Sequence, residues 1–407
     1  MTNMTIKGRM TCPFRSKLDV ILRHNYCTRD ARMADGISVT KVACDLLQCM
    51  PPKQDVTLSP LSIFTCLAMT YGGAQGKTAK EMQSVLHIES DNIHQALQII
   101  LRAIIGSDNQ SGHTFKAANR LFFSTNYSLL PQYLDLTKTF YNAQPQSVNF
   151  SHAAEAAGII NTWVENQTAK KIKDLIPASG INPLTRLILV NALYFKGNWS
   201  DKFDKNLTQK MDFKIDNSNK VQVHMMSKTK KLNYMADMDI GFQMVELPYA
   251  HDSLSMFVIL PRDIDGINSL CKHINSANLQ QWIGKMSNNF KVKLSLPRFK
   301  MTFETTLSDA LKSLGMHDAF NELSSDFSKM TAANDLYISE VYHKTFIEVN
   351  EEGTEAAAAT GVMMMARCCL PPMPPEVMLV DHPFIFMIFD KSSKAVLFMG
   401  KVYNPKE

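Results

Sequence analysis

The amino-acid sequence predicts an α+β fold within one large domain. Helical periodicity dominates the first part of the 407-residue chain, and apolar strands dominate the part after residue 186. Helical segments followed by a β-rich region are typical of α+β folds. No internal repeat and no interdomain linker interrupts the pattern from residue 34 onward. One connection near the C-terminus, residues 351–375, belongs to neither pattern.

The first predicted helix covers residues 38–50, where apolar side chains recur at spacings of three and four, and two prolines end it. A short strand at 55–58 follows. The next helix is apolar on nearly every side, which predicts that it is buried, and it ends at Gly72 and Gly73. The pattern then predicts a helix, a strand and two further helices in chain order: 91–105, 114–123, 131–140 and 152–168.

The second half of the chain is predicted to form strands. The segment 291–300 alternates apolar and polar residues and is interpreted as one strand interrupted by Pro297. The last two strands are joined by a polar turn at 390–394 and form a hairpin. Three lysines within 228–231 are interpreted as a solvated turn. The strands predicted in chain order are 186–195, 244–249, 255–261, 291–300, 336–350, 377–389 and 395–402.

Positive charge is concentrated at the N-terminus. Residues 1–33 hold seven Lys and Arg against two Asp, which accounts for the whole formal surplus of +5. We therefore expect 1–33 to be a basic extension outside a domain at 34–407. It is either a flexible tail or an arm that contacts anionic lipid or glycan. The mild overall charge does not favour nucleic-acid binding, and the sequence lacks the run of 18 apolar residues that would predict a transmembrane helix.

The eight cysteines show no CxxC pair and no His/Cys spacing typical of zinc. Cys44 and Cys66 lie in apolar helical segments and are predicted to be core residues. Neither a structural disulfide framework nor a metal site is expected. Cys368 and Cys369 differ because they lie in the long connection, where their thiols are candidates for oxidation or cross-linking.

The long connection reads EEGTEAAAATGVMMMARCCLPPMPP over 351–375. A stretch of about 25 residues without a predicted element is uncommon in a compact domain and is usually functional. If Glu355 points outward in an extended chain, uncharged residues that begin with Thr354 alternate on the opposite face, and the first four are small. Such a segment is suited to entering a β-sheet without a clash or a buried charge.

A lone arginine lies near the middle of this connection. Arg367 is the only Lys or Arg between residues 344 and 391. A trypsin-like protease is therefore expected to cleave the loop at one bond, between Arg367 and Cys368. Met363 to Met365 form a second candidate site, for elastase-like or chymotrypsin-like proteases.

Three segments resemble those of inhibitory serpins: the hinge at 351–360, MLVDHPFIFMI at 378–388 and FMGKVYNP at 398–405. The resemblance extends from about residue 34 to the C-terminus. It implies several helices packed on a large central mixed β-sheet, with two smaller sheets and an exposed reactive-centre loop at about 351–375. It also implies a suicide substrate, whose cleaved loop enters the central sheet and traps the protease as an acyl-enzyme.

The resemblance also assigns roles to individual residues. The implied shutter, beneath the place where the central sheet opens, consists of Ser59, Ser62, Asn191 and His343. The implied breach, where the loop first enters, consists of Trp199 and Arg298. The implied hinge consists of Glu351, Gly353, Thr354, Glu355, Ala356, Ala357, Ala358, Ala359 and Thr360. We expect the shutter to be a switchable polar cluster, and we expect Arg298 and Glu351 to form an exposed ion pair worth about 0–1 kcal/mol.

No nucleophile-elbow, zinc-protease, dinucleotide-binding or phosphate-loop motif occurs. We therefore expect an inhibitor rather than an enzyme, with no cofactor. The expected partner is a trypsin-like serine protease, held in a covalent complex by a monomeric chain. Two alternatives stay open. One is a non-inhibitory serpin that acts as a carrier or chaperone, and the other is inhibition of elastase-like, chymotrypsin-like or cysteine proteases.

The sequence gives mixed indications of cellular location. The N-terminus has no apolar core typical of a signal peptide. Seven NxS/T sequons occur, which are glycosylated only on the secretory route. The resemblance favours an extracellular or cell-surface location, with the cytoplasm as the alternative.

Overall fold

The computed structural model describes residues 33–89, 92–105, 113–289, 291–333, 335–353 and 374–406. Four predictions lie outside these residues: the basic extension up to residue 32, the hinge from Thr354 to Thr360, the Met363–Met365 site and the Arg367–Cys368 bond.

The described residues form nine α-helices. They are α1 (33–49), α2 (Pro60–Tyr71), α3 (Gly76–Val85), α4 (Ile93–Ile105), α5 (Pro131–Tyr141), α6 (Ala153–Gln167), α7 (Ile267–His273), α8 (Ser276–Lys285) and α9 (Ser308–Ser313). Most of the helices predicted in the first half are present with similar bounds. The sequence pattern missed α3, because that helix buries only Thr78, Met82 and Val85 and so has no continuous apolar stripe.

The described residues also form fifteen strands. They are β1 (Val56–Leu58), β2 (His113–Ser124), β3 (Gln146–Val148), β4 (Leu187–Gly197), β5 (Gln209–Lys214), β6 (Lys220–Lys231), β7 (Tyr234–Asp237), β8 (Phe242–Pro248), β9 (Leu254–Pro261), β10 (Lys291–Pro297), β11 (Phe299–Thr306), β12 (Ile338–Val349), β13 (Glu376–Leu379), β14 (Phe384–Asp390) and β15 (Val396–Val402).

These strands make three sheets. The six-stranded sheet has the order β1-β15-β14-β9-β8-β7 and is antiparallel throughout. The four-stranded sheet has the order β13-β10-β6-β5, and the five-stranded mixed sheet has the order β11-β12-β4-β2-β3. The mixed sheet contains three strands of 11 or 12 residues, β2, β4 and β12. The predicted α+β fold is confirmed. The mixed sheet has fewer strands than the six-stranded sheet, but its strands contain more residues in total.

Helix α2 lies between two sheets and packs against β15 on one side and against β2 and β4 on the other. Every residue of α2 except Tyr71 is buried, as its nearly uniform apolar composition predicts. Its threonines are tolerated there because their hydroxyls donate to carbonyls one turn earlier: Thr65 to Leu61 (2.7 Å) and Thr70 to Cys66 (3.0 Å).

Helix α6 covers the opposite face of the mixed sheet. Its Ile160 and Val164 share a buried cluster with Ile188 and Val190 of β4. Because α2 and α6 cover both faces, every residue of β4 except Lys196 is buried. This double burial explains why the sequence of β4 is a nearly continuous apolar run rather than an alternation.

Two segments that were each predicted to form one strand instead form two strands, which belong to different sheets. The segment 291–300 divides at Pro297, so that β10 pairs with β6 and β11 pairs with β12. Proline has no N–H to donate to a ladder, and the chain changes sheets immediately after it. The segment 377–389 divides in the same way around Asp381 and His382, where the His382 ring bonds the Pro261 carbonyl at 2.7 Å.

The lysines within 228–231 lie on strand β6, so their interpretation as a solvated turn is wrong. Lys228 is buried, and burial lowers its pKa to about 8. Its Nζ donates to the Asp201 carbonyl at 2.8 Å and lies 4.2 Å from the centre of the Phe203 ring. Lys230 and Lys231 are exposed at the end of the strand.

Four cysteines lie within the described part of the chain, and all four are free thiols: Cys44, Cys49, Cys66 and Cys271. Burial raises the pKa of the Cys44 and Cys66 thiols to about 12, in agreement with their predicted place in the core. Among the described residues, no helix has the length and apolar character needed to cross a bilayer. No cluster of metal-ligating side chains occurs among those same residues.

Candidate functional site

One parallel pair of strands lies in the middle of the five-stranded sheet. β12 runs parallel to β4, with Ile338–Ile347 against Leu187–Phe195. β12 is antiparallel to its other neighbour β11, and β4 is antiparallel to β2. We call the line between β4 and β12 the seam. Parallel ladders are slightly less stable per residue than antiparallel ones, so the seam is the weakest line of pairing in the centre of the sheet.

A row of buried polar side chains crosses the seam. His343 and Asn191 are directly opposite each other, with Nδ1 and Oδ1 separated by 2.5 Å. The Nδ2 of Asn191 donates to the Ser62 hydroxyl (2.6 Å) and to Oδ1 of Asn119 (2.7 Å). The backbone N–H of Ser59 donates to Nε2 of His343 (3.2 Å). We call these five residues the shutter cluster, and their role in holding the sheet closed stays a prediction.

The hydrogen bonds determine the charge state of His343. Asn191 donates through Nδ2, so its Oδ1 accepts and Nδ1 of His343 carries the hydrogen. Nε2 accepts from Ser59 and is therefore unprotonated. Burial lowers the pKa of His343 to about 3, which agrees with a neutral ring. The shutter cluster thus satisfies both ring nitrogens without placing a charge in the core.

We expect acid to destabilise the protein partly through His343. The unfolded histidine, with its ordinary pKa near 6.5, binds a proton that the folded ring does not accept until pH is about 3. Stability is therefore complete above pH 6.5 and is lost as pH falls, by at most about 1.4 kcal/mol per unit. Between about pH 8 and pH 5, the wild type should lose about 2 kcal/mol more in urea unfolding than His343→Gln. His94, whose pKa burial also lowers, to about 4, titrates in both proteins. Parallel pH profiles would contradict the expectation.

The turn that follows β12 is held by backbone contacts. Gly353 has φ +108°, and a Cβ at this position would collide with the Gly197 carbonyl and lie 2.5 Å from the Trp199 nitrogen. Only glycine meets both requirements. Gly353 pairs antiparallel with Asn350 and also with Asn198, which directly follows β4. The turn therefore places Gly353 between the ends of β12 and β4.

Trp199 lies at this same end of the sheet. Its indole Nε1 donates to the Asn350 carbonyl (2.9 Å), and its backbone N–H donates to the Glu352 carbonyl (3.0 Å). The ring stacks on Tyr249 with a centroid distance of 4.6 Å. Trp199 thus holds the turn through both its side chain and its backbone, at the position that the resemblance implies for the breach.

Glu351 is buried against a partly exposed Arg298, so the expectation of an exposed pair is wrong for Glu351. Glu351 is only 2% exposed, with Oε1 2.8 Å from Nε of Arg298 and 2.5 Å from the Thr208 hydroxyl. Burial by itself would raise the pKa of Glu351, but the hydrogen bonds from Arg298 and Thr208 outweigh it and lower the pKa. The neighbouring Glu352 pairs with Lys202 at 2.6 Å.

Replacing Arg298 with glutamine should cost about 1–3 kcal/mol of unfolding free energy, because Glu351 then loses its charged partner in a buried position. The guanidinium is partly exposed, which keeps the expected cost below that of a fully buried pair. The double variant Arg298→Gln/Glu351→Gln should recover part of the loss, since the unpaired charge is gone. Urea unfolding of the four proteins measures the coupling, and additive effects would show that the pair is not coupled.

Comparison with known proteins identifies the family. The profile described as "Serpin (serine protease inhibitor)" matches residues 38–405. This chain belongs to the serpin family. The match covers the seam, the shutter cluster and the turn that ends at Gly353, and it confirms the family resemblance seen in the sequence.

The proteins that this serpin resembles include a named protease inhibitor, a named hormone-binding protein and ovalbumin, whose name states no activity. The human leukocyte elastase inhibitor is 39% identical over 376 residues, covering 90% of this serpin and 98% of the relative. Uncleaved ovalbumin is 29% identical, with a TM-score of 0.81 and coverage of 91% of this serpin and 100% of that chain. Human thyroxine-binding globulin in complex with thyroxine is 26% identical, with a TM-score of 0.83 and coverage of 93% of this serpin and 100% of that chain.

The structure brings together the four predicted shutter residues and, at the end of the seam, the predicted breach residues with Glu351 and Gly353. Sequence reasoning missed Asn119, because half of the residues of β2 are polar and this asparagine does not stand out as Asn191 does in the nearly continuous apolar run of β4. It also missed Thr208 and Tyr249. Thr208 carries no such signal, because it lies outside the helices and strands and is remote in sequence from Glu351.

Proposed function

We propose that this serpin inhibits a trypsin-like serine protease as a suicide substrate. The protease serine attacks the carbonyl carbon of Arg367 and forms an ester, while the bond to Cys368 breaks and its nitrogen leaves as an amine. The freed segment then enters the seam as an additional strand. An acidic group at the base of the protease pocket pairs with the Arg367 guanidinium.

The position of Gly353 carries this proposal. It already pairs antiparallel with Asn350 on one side of the seam and with Asn198 on the other. A strand that continues from it is antiparallel to both β12 and β4. In an antiparallel ladder, the numbers of two opposite residues always have the same sum. The pair Asn350 and Gly353 sets this sum to 703 for pairing with β12, and the pair Asn198 and Gly353 sets it to 551 for pairing with β4.

The register that follows from these two pairs is consistent with the closed sheet. Both sums place Thr360 opposite His343 and Asn191, which are themselves partners in the closed sheet. A threonine hydroxyl at this position can take over the hydrogen bonds that opening breaks. Arg367 falls opposite residues 336 and 184, just beyond the far ends of β12 and β4. The segment is therefore long enough to fill the seam and carry the protease the length of the 11-residue β4, roughly 35 Å.

The same register predicts which face of the sheet each inserted side chain would point toward. Thr354 and the even-numbered residues share the face of His343, which is directed toward α2 and the core. Glu355 falls between Glu348 and Lys196, which are only partly buried. The inward residues Thr354, Ala356, Ala358 and Thr360 are small and uncharged. Val362 and Met364, further along the same face, are larger but uncharged, so insertion does not bury a charge.

Insertion provides enough free energy to disturb a protease. Each new ladder hydrogen bond contributes about 0.5–1.5 kcal/mol net. A dozen inserted residues yield on the order of 10 kcal/mol, comparable with the 5–15 kcal/mol that stabilises a whole domain. Distortion of the acylated protease before water releases it then gives a trapped complex.

The comparisons favour a second target class. A relative that is 39% identical is named for inhibition of leukocyte elastase. In this serpin, Met363 to Met365 offer apolar side chains at which an elastase-like or chymotrypsin-like protease would cleave. The two target classes differ in the bond that is cut, so they are distinguished by one experiment. An extracellular or cell-surface place of action is part of the same proposal, with the cytoplasm as the alternative.

The test is to mix the serpin separately with trypsin and with elastase. We expect an SDS-stable complex with trypsin and release of a fragment whose mass corresponds to residues 368–407. Arg367→Ala should reduce the rate of trypsin inhibition by on the order of 10³-fold, because the charged pocket loses its partner. It should leave any reaction with elastase largely unchanged.

Three outcomes decide between the readings. A complex with elastase only, cut within 363–365, would replace the trypsin-like target by an elastase-like one. Cleavage at either site without any stable complex would favour the carrier or chaperone reading, for which the thyroxine-bound relative is a precedent. Trapping of a papain-like enzyme would indicate inhibition of cysteine proteases.

A further inference from the structure

The four-stranded sheet carries an excess of positive charge. Its four strands hold eight lysines and only two carboxylates, Asp212 and Glu376. Four of these lysines have carboxylate partners within 4 Å: Lys214, Lys220, Lys228 and Lys230. Of the remaining lysines, three lie close together at the end of β6 and the beginning of β10 and form no ion pair with any described carboxylate: Lys231, Lys291 and Lys293.

The pairing register places these three lysines on one face. Lys231 is directly opposite Lys291, and Lys293 is two residues further along the same strand, opposite Thr229. Val377 of β13 is opposite Lys293 on the other side and shares that face. The side chains of the three lysines, of Thr229 and of Val377 are exposed, and Val377 is 56% exposed despite its apolar character.

This arrangement is unfavourable for the isolated serpin. Side chains directly opposite in an antiparallel pair have Cβ atoms about 5 Å apart, and like charges at such positions destabilise a sheet. An exposed valine beside them adds apolar surface without a partner. A carboxylate-bearing surface placed against this face would relieve the repulsion and cover Val377 together.

The face adjoins the proposed site of protease binding. β13 begins at Glu376, two residues after the described chain resumes at residue 374. Val377 is nine residues after Cys368 along the chain, a span of at most about 32 Å. A protease that holds the Arg367–Cys368 bond in its active site therefore lies beside these lysines.

We propose that Lys231, Lys291, Lys293 and Val377 form a docking surface for an acidic patch on the target protease. The inference rests on the proposed function, because it needs a protease bound at the loop. A protein partner is favoured over a polyanionic glycan because an exposed apolar side chain lies among the lysines. Protein interfaces combine apolar area with charged groups, whereas a sulfated chain offers nothing to cover valine. Opposite charges at such a surface chiefly accelerate association.

The experiment compares Lys231→Ala/Lys291→Ala/Lys293→Ala with wild type against anionic and cationic trypsin. At low salt, the triple variant should associate about tenfold more slowly with anionic trypsin and less than twofold more slowly with cationic trypsin. The difference should vanish at about 0.5 M NaCl, where screening is strong. The matched control, Lys80→Ala/Lys138→Ala/Lys272→Ala, removes three exposed lysines on helices and has the same net charge. It should behave as wild type.

A second readout separates this inference from the proposed function. Affinity for anionic trypsin whose catalytic serine is replaced by alanine reports docking without chemistry. Equal affinities of wild type and triple variant would overturn the docking surface, even if both trap active trypsin. Absence of an SDS-stable complex with active trypsin would instead overturn the proposed function. Reduced heparin retention of the triple variant with unchanged protease kinetics would assign the face to a glycan and overturn protease docking.

Discussion

Replacing Thr354 with arginine should convert this serpin from an inhibitor into a substrate. The inserted register places residue 354 opposite Val349 and Gly197, on the face directed toward the core. The space beside Gly197 is filled, because a Cβ there would lie 2.8 Å from both Phe195 and Tyr249. A guanidinium at residue 354 would be buried among aromatic rings without a carboxylate, at a cost of several kcal/mol.

The effect should appear in the stoichiometry of inhibition. Slower insertion gives water time to hydrolyse the acyl-enzyme, and every 1.4 kcal/mol on the insertion barrier changes its rate about tenfold. We expect the number of serpin molecules consumed per trapped protease to rise at least about tenfold, with little change in the rate of cleavage. Titration of protease activity and gel analysis of cleaved and complexed serpin measure both quantities.

Glu355→Arg is the matched control. It adds the same side chain one residue later, where the register directs it outward between Glu348 and Lys196. This variant should trap protease with nearly the wild-type stoichiometry. If both arginine variants trap normally, the insertion model is wrong. If both fail equally, insertion does not follow the register that Gly353 sets.

Replacing Asn191 with leucine should destabilise the closed sheet and promote polymers. The change removes the side chain that joins His343 to Ser62 and Asn119, and it leaves the His343 Nδ1–H buried without an acceptor. The expected loss is about 2–5 kcal/mol of unfolding free energy. Because this bond crosses the seam, its loss also makes opening easier, so the loop of another molecule can enter as a strand.

Thermal unfolding and native gels after mild heating measure the two effects. Thr305→Val is the control, since Thr305 lies opposite His343 on β11 but outside the seam. In the described part of the chain, its hydroxyl donates to the adjacent Thr306 carbonyl (3.1 Å), so the change should cost less than about 1 kcal/mol. Wild-type heat resistance and no polymers in Asn191→Leu would mean that the shutter cluster does not control the sheet.

Many features of the fold and of the candidate site could be predicted from the local sequence. The alternation of small residues after Gly353, the isolated polar residue in an otherwise apolar strand, and the buried helix α2 all follow from side-chain size, polarity and periodicity. The family resemblance added the roles of Ser59, Ser62 and His343, which no local pattern distinguishes from ordinary caps and core residues.

Other features required the tertiary structure. Pro297 is visible in the sequence, but the exchange of sheets that follows it depends on which distant strands accept each half. The burial of Glu351 against Arg298 depends on Thr208 and on the turn at Gly353, which are remote from Arg298 along the chain.

The reactive-centre loop shows most clearly which features follow from the sequence and which require the tertiary structure. Its composition by itself predicts that the segment is suited to entering a sheet, because small uncharged residues tolerate burial on one face. Only the tertiary structure indicates where we expect it to enter and in which register. Gly353 is held between the ends of two parallel strands by contacts with Asn198 and Asn350, and such pairings join residues that the sequence leaves far apart.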